Sequence, residues 1–102
     1  MKLEITSVKD TNAIRLVGHL DIYNVGDAPE ALLKHLASKP GLELDLGGVE
    51  SCDAAGIQLL LAARRSAGAA GKTFSIHTPT PAVQECSKLL GLSPDIWQPN
   101  TR

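Results

Sequence analysis

The sequence predicts an α/β fold, a mixed sheet of four to five strands with amphipathic helices packed against it. Two observations carry this reading. Stretches in which apolar and polar residues alternate, the period of a half-buried strand, are interleaved with stretches whose apolar residues return every three to four positions, the period of a helix. The resulting order is strand, strand, helix, strand, helix, strand, helix, and each strand-helix-strand crossover favours a parallel pair.

The first two strands come from Leu3 and Ile5 alternating with Lys2, Glu4 and Thr6, and from Ile14, Leu16, Gly18 and Leu20 alternating with Arg15, Val17 and His19. The short polar link Lys9-Asp10-Thr11-Asn12 predicts an antiparallel hairpin. In the segment that follows, Val25, Ala28, Leu32 and Leu36 share one helical face, Pro40-Gly41 ends the run, and Asp27 with Glu30 resembles a capping box. Leu42, Leu44 and Leu46 then alternate with Glu43 and Asp45 as a third strand, which Gly47-Gly48 is expected to break. The segment beginning Ala55-Gly56-Ile57 reads as a second helix ending near Gly71. A fourth strand is expected over Thr73 to His77, with Phe74 and Ile76 inward. Thr80-Pro81 opens a third helix, Gly91 closes it, and Val83, Cys86 and Leu90 form its inner face. Ile96-Trp97 is a candidate for one more short strand.

The chain has 102 residues, which suits one core and is too short for two, so residues 1–102 are read as a single domain. The 43% hydrophobic and 21% charged composition is that of a globular protein. A net charge of -1, scattered Lys and Arg, and three aromatics (Tyr23, Phe74, Trp97) disfavour nucleic acid, which calls for a basic footprint and stacking platforms. The N-terminal residues alternate and lack the continuous apolar core of a secretory leader, and no stretch approaches the length that spans a bilayer. A cytoplasmic protein without membrane insertion is expected, with Cys52 and Cys86 as reduced, buried packing residues.

The informative segment runs from Leu42 to Arg65. Asp53 stands before the second helix, where its carboxylate can accept N–H groups from the first turn and meet the positive helix end. On that helix Ile57, Leu60 and Leu61 recur at core spacing, Gln58, Ala62 and Arg65 fall on the opposite face, and Leu59 and Ala63 lie between. Leu44-Asp45-Leu46, Val49, Asp53, Gly56 and Leu60-Leu61 match the strand, Asp-Ser/Thr-Ser/Ala-Gly and helix pattern of the STAS family. Gly18 to Asp21 (GHLD) and Leu89 to Leu92 (LLGL) resemble two further signatures of that family, so the likeness covers essentially the whole chain.

The resemblance implies a protein-docking module similar to an anti-sigma factor antagonist, with Asp21, Asp53, Ala54, Ala55, Gly56, Gln58, Leu59 and Ala62 on the partner surface. It implies an anti-sigma factor, a kinase-like protein or another signalling protein as partner, and a monomer or weak dimer. Relatives of that type carry a phosphorylatable Ser or Thr directly after the aspartate, but here the position is Ala54, so the usual phosphorylation site is missing. The run from Asp53 through Leu61 (DAAGIQLLL) resembles STAS proteins associated with chemotaxis-type signalling. A STAS subunit of a lipid-transport ABC complex is the alternative within the family.

Other chemistries are less well supported by the residues. His19, His35, His77, Cys52 and Cys86 have no metal-ligand spacing, so no metal or other cofactor is expected. A Cys52 nucleophile would be opposed by the carboxylate of Asp53, which raises a thiol pKa, so no catalytic residue is assigned. A small-ligand or nucleotide-binding protein is the alternative of another class. Gly47-Gly48 lacks the flanking residues of a phosphate loop, and backbone needs in a strand-to-helix turn explain it better.

Overall fold

The computed structural model describes residues 3–93, so the candidate strand at Ile96-Trp97 lies outside the described residues. Its elements are β1 (Glu4–Ser7), β2 (Ala13–Leu20), α1 (Ala28–Ser38), β3 (Gly41–Cys52), α2 (Ala54–Ala69), β4 (Thr73–His77) and α3 (Pro81–Leu89). They form a mixed α/β fold whose strands lie in the order β1-β2-β3-β4. The hairpin β1–β2 is antiparallel, closed by the Val8 N–H donating to the Ala13 carbonyl. The two crossovers make β2–β3 and β3–β4 parallel, as their helices require.

One face of the sheet supplies the core. Ile14, Leu16 and Leu20 of β2, Leu42, Leu44 and Leu46 of β3 and Phe74 of β4 are buried with Leu32 and Leu36 of α1, Ile57 and Leu60 of α2, and Val83 of α3. Each such side chain contributes about 1.5–3 kcal/mol on leaving water. The opposite face is polar: Arg15 Nε donates to Asp45 Oδ2 at 3.1 Å across β2–β3, and His77 Nε2 lies 3.4 Å from Glu43 Oε1 across β3–β4. Asp45 also accepts the Gly47 N–H, and that bond, with help from Arg15, holds its carboxyl below the usual 3.8.

Gly47-Gly48 does not end β3. From Arg15 to Val17 on β2 the partner strand advances from Asp45 to Gly48, and from Gly18 to His19 it advances from Val49 to Ser51. Each step inserts one extra residue into β3, the signature of a bulge. The inserted residue turns Val49 back onto the core face, where it is 2% exposed. Gly48 is needed there because a Cβ would come 2.8 Å from Val17 Cγ2.

The helix ends show two further differences from expectation. Asp27 occupies the N-cap of α1 without a side-chain hydrogen bond, because its own backbone is already helical (φ -93°, ψ -4°) and the carboxylate is not aimed at the next turn. The chain enters α1 instead through a turn in which the Asp21 carbonyl accepts the Asn24 and Val25 N–H groups. On α3 the inward residues are Val83 and Ser87, with Cys86 partly buried, while Leu90 is 48% exposed. Leu90 is the C-cap, its N–H still donating to the Cys86 carbonyl at 3.1 Å, but at this end of the helix its side chain is not covered by the core. Gly91 (φ +78°) then turns the chain through a Schellman motif, with its N–H on the Lys88 carbonyl and the Leu92 N–H on that of Ser87.

Candidate functional site

Because β2 and β3 are parallel neighbours, their C-terminal ends lie side by side, with Leu20 opposite Cys52. The two segments that follow, Asp21–Asp27 and Asp53–Ala54, therefore leave the sheet at the same edge. That places the two sequence-predicted aspartates in one region, although they occupy it in different ways.

Asp53 is the hub. Its extended backbone (φ -128°, ψ -172°) aims the carboxylate along α2, where Oδ1 accepts the N–H groups of Ala55 at 2.9 Å and Gly56 at 3.2 Å. Oδ2 accepts the Ile22 N–H at 3.1 Å, so one side chain joins the helix start to the loop after β2. The Asp53 N–H in turn donates to the Leu20 carbonyl at 3.2 Å. Asp21 organises its own loop: Oδ1 accepts the Tyr23 N–H at 3.1 Å and Asn24 Nδ2 at 2.7 Å.

The other sequence-predicted residues divide by exposure. Ala54 and Gln58 are exposed, and Ala55 and Ala62 are half-buried. Gly56 and Leu59 are buried, so both belong to the packing beneath the surface and not to the surface itself. A Cβ at Gly56 would collide with the Leu20 carbonyl oxygen, which is why α2 can start so close to β2 only with glycine there. Leu59, Ala62, Ala63 and Ser66 form one wall of a shallow apolar groove of about 100 Å³, whose other wall is Pro29, Leu32, Leu33 and Leu36 of α1.

Two residues that the sequence pattern does not single out stand beside Asp53. Ile22 is 66% exposed and Tyr23 is 90% exposed, an unusual outlay of apolar surface held in place by the Asp53 and Asp21 carboxylates. Their signal in the sequence is faint: a pair of large apolar side chains directly after the GHLD signature, where a helical pattern has not yet begun. Nearby, His19 Nδ1 and Ser51 Oγ are hydrogen-bonded at 2.6 Å across β2–β3.

Cys52 and Cys86 are both half-buried free thiols packed against the core, less enclosed than expected. Burial pushes the Cys52 thiol up to about 12, and the adjacent Cys86 and the Asp53 carboxylate push it the same way. It is therefore protonated at neutral pH and is not an activated nucleophile. Among the described residues no group of three or more His, Cys, Asp or Glu is placed to hold a metal ion, and no helix is long and apolar enough to cross a membrane.

A family model described as Mlab, STAS domain, matches residues 4–96. The chain belongs to the STAS family. Its fold is similar to that of the anti-sigma factor antagonist SpoIIAA in its unphosphorylated form, with a TM-score of 0.71 at 22% identity over 94% of this chain and 84% of that one. It is also similar to a serine-to-glutamate variant of Moorella thermoacetica RsbS, with a TM-score of 0.67 at 22% identity over 94% of this chain and 83% of that one. The STAS signatures now have physical meanings in this chain. The aspartate caps α2 and anchors the preceding loop, and the glycine three residues on lets the helix approach β2.

Proposed function

We propose that this STAS domain is a protein-docking module whose contact surface comprises Ile22, Tyr23, Ala54, Gln58 and Ala62, held together by Asp53, and that its partner is a bacterial signalling protein of the anti-sigma factor or kinase-like type. The observation that supports this best is the exposure of Ile22 and Tyr23 beside the exposed start of α2. Large apolar side chains fixed by backbone hydrogen bonds, and not packed onto their own core, supply the desolvation energy of an interface at little entropic cost. Both neighbouring carboxylates are engaged in holding that surface, so Asp21 and Asp53 act through the loops they shape. With Ala54 at the position of the family's Ser or Thr, this surface cannot be charged by phosphorylation there.

A second reading, a STAS subunit bracing an ATPase subunit of a lipid-transport complex, is favoured by the same alanine, since a permanent structural contact has no need of a hydroxyl switch. The apolar groove of about 100 Å³ is small beside the roughly 300–1,000 Å³ of ordinary ligand sites, and the roomier depression of about 430 Å³ lined by His19, Asp21, Tyr23 and Asn24 is open and lacks the apolar lining such sites use, which gives the small-ligand alternative little support.

The test is affinity capture on immobilised wild type and on the folded double variant Ile22→Ser, Tyr23→Ser. A signalling protein held by the wild type and lost from the variant supports the first reading, and an ATPase subunit behaving the same way supports the second. A partner retained equally by both proteins moves the contact surface elsewhere.

A further inference from the structure

On the face of the sheet away from the helices, β2 and β3 bring a histidine and a serine into register. His19 pairs with Ser51 one step before Leu20 meets Cys52, and because Leu20 turns into the core, His19 and Ser51 turn outward. His19 Nδ1 and Ser51 Oγ lie 2.6 Å apart, at the short end of the hydrogen-bond range. Both residues are half-buried, and neither side chain has another hydrogen-bond partner among the described residues. With its proton on Nε2, the imidazole accepts the Ser51 hydroxyl at Nδ1, which is the arrangement of a nucleophile and its base. We propose that Ser51 is an acyl-acceptor site, with His19 as the base and activated acyl esters as the class of reagent.

Access and charge both support an acyl group. His19 forms part of the wall of the open depression of about 430 Å³, so a small ester can approach the pair from solvent. No Lys or Arg lines that depression, and Asp21 contributes a carboxylate, so a phosphoryl group of about -2 charge has no cation to meet there. A neutral acyl carbonyl needs none.

In the reaction Ser51 Oγ attacks the ester carbonyl while its proton passes to His19 Nδ1. The bond from the carbonyl carbon to the leaving oxygen then breaks, the leaving group departs as its anion, and His19 releases the proton to solvent. A serine ester and a free alcohol or phenol replace a free serine and the reagent ester, so atoms and charge balance. Ser51 lies two residues before the Asp53 cap, and the depression at His19 also contains Tyr23, so the acyl group would sit beside the loop proposed for docking. Its effect on a partner rests on the reading above, whereas the acylation does not.

Native protein is treated with p-nitrophenyl acetate, release of nitrophenolate is followed by absorbance, and acetylated peptides are mapped before and after hydroxylamine, which cleaves esters and spares the amides formed on lysine. The expected product carries a single hydroxylamine-sensitive acetyl group, on Ser51. It should form at least about 100-fold faster than at any other serine or in the urea-unfolded chain, the usual effect of a positioned base. Ser51→Ala should abolish this phase of release. His19→Gln, which keeps a hydrogen-bonding side chain but not the base, should slow it by a similar factor, with melting curves confirming that both variants are folded. Ser51 acetylated no faster than other serines, release unchanged in folded His19→Gln, or release unchanged in folded Ser51→Ala, which would place the acetyl group on the imidazole itself, would each overturn the proposal. The wild-type peptide map needs neither variant, so it decides the matter even where a substitution unfolds the chain. Partner affinity of the acetylated form is read separately, so a failure of the docking reading leaves that map standing.

Discussion

The Ile22 N–H donates to Asp53 Oδ2 at 3.1 Å, so the carboxylate that caps α2 also holds the loop on which Ile22 and Tyr23 are displayed. Stability and the shape of the proposed docking surface therefore depend on one side chain. Asp53→Ala removes both the cap and the anchor and should cost about 1–2 kcal/mol in urea melts. Amide exchange should also accelerate at Ile22, in the loop after β2. Acceleration confined to Ala55 and Gly56 would show that the loop holds itself without Asp53.

Gly56 gives a prediction opposite in sign to helix propensity. At a free helical position Gly→Ala stabilises by about 1 kcal/mol. Here the added methyl meets the Leu20 carbonyl oxygen and the Leu20 side chain, so α2 must move off β2. Gly56→Ala should destabilise the fold by about 1–3 kcal/mol, the usual range for overpacking. A melt showing stabilisation would mean that the start of α2 lies farther from the sheet.

The core supplies an internal contrast. Leu44 and Leu60 are both 0% exposed, and truncating either to Ala should cost about 2–5 kcal/mol. Leu90, 48% exposed, should lose less than about 1 kcal/mol on the same change. Similar midpoints for all three would refute this assignment of inner and outer faces.

These contrasts also show what the sequence could and could not reveal. Period-two alternation located β2 and the first half of β3 because one face of each is buried and the other wet, and Asp53 was legible as a cap because its role is local. The continuation of β3 was hidden because a bulge breaks the period: Leu46 and Val49 both point inward at a spacing of three, which alternation reads as an end. Leu90 was misplaced because the inward face was carried onto the C-cap, one residue past the end of α3 at Leu89, where the core no longer covers the side chain. Ile22 and Tyr23 were hidden for a different reason. Apolar residues in a sequence are assumed to be inside, and only the bonds from Asp53 and Asp21 to their backbones reveal that this pair is held outward.

Asp45 predicts an acid dependence. Its pKa is lowered in the fold, first by the Gly47 N–H and then by Arg15, so its contribution is fully present above the ordinary value of 3.8 and is lost as pH falls through the lowered one. Asp45→Asn should therefore lower the urea midpoint at neutral pH, and the gap from wild type should shrink as the pH drops below about 4. A gap that stays constant with pH would assign the loss to packing and not to charge.

The last prediction concerns Ala54, exposed at the first position of α2 and beside the Asp53 cap. Ala54→Glu adds a carboxylate at the positive end of a helix, which the helix dipole favours, while repulsion from Asp53 opposes it. The two effects act on the same turn with opposite signs, so stability should change by less than about 1 kcal/mol. Binding has no such compensation. On the proposed docking surface, a charge added beside Ile22 and Tyr23 would meet an apolar contact, and the affinity should fall by about 1–3 kcal/mol, or roughly 5–150-fold. Ala54→Ser adds only a hydroxyl and should bind nearly as the wild type does, while offering a compatible kinase the group that the natural chain lacks. Calorimetric titration of the captured partner against the three proteins, with melting curves as the control for folding, separates these outcomes. Equal affinity for wild type and folded Ala54→Glu would place the docking surface away from the start of α2.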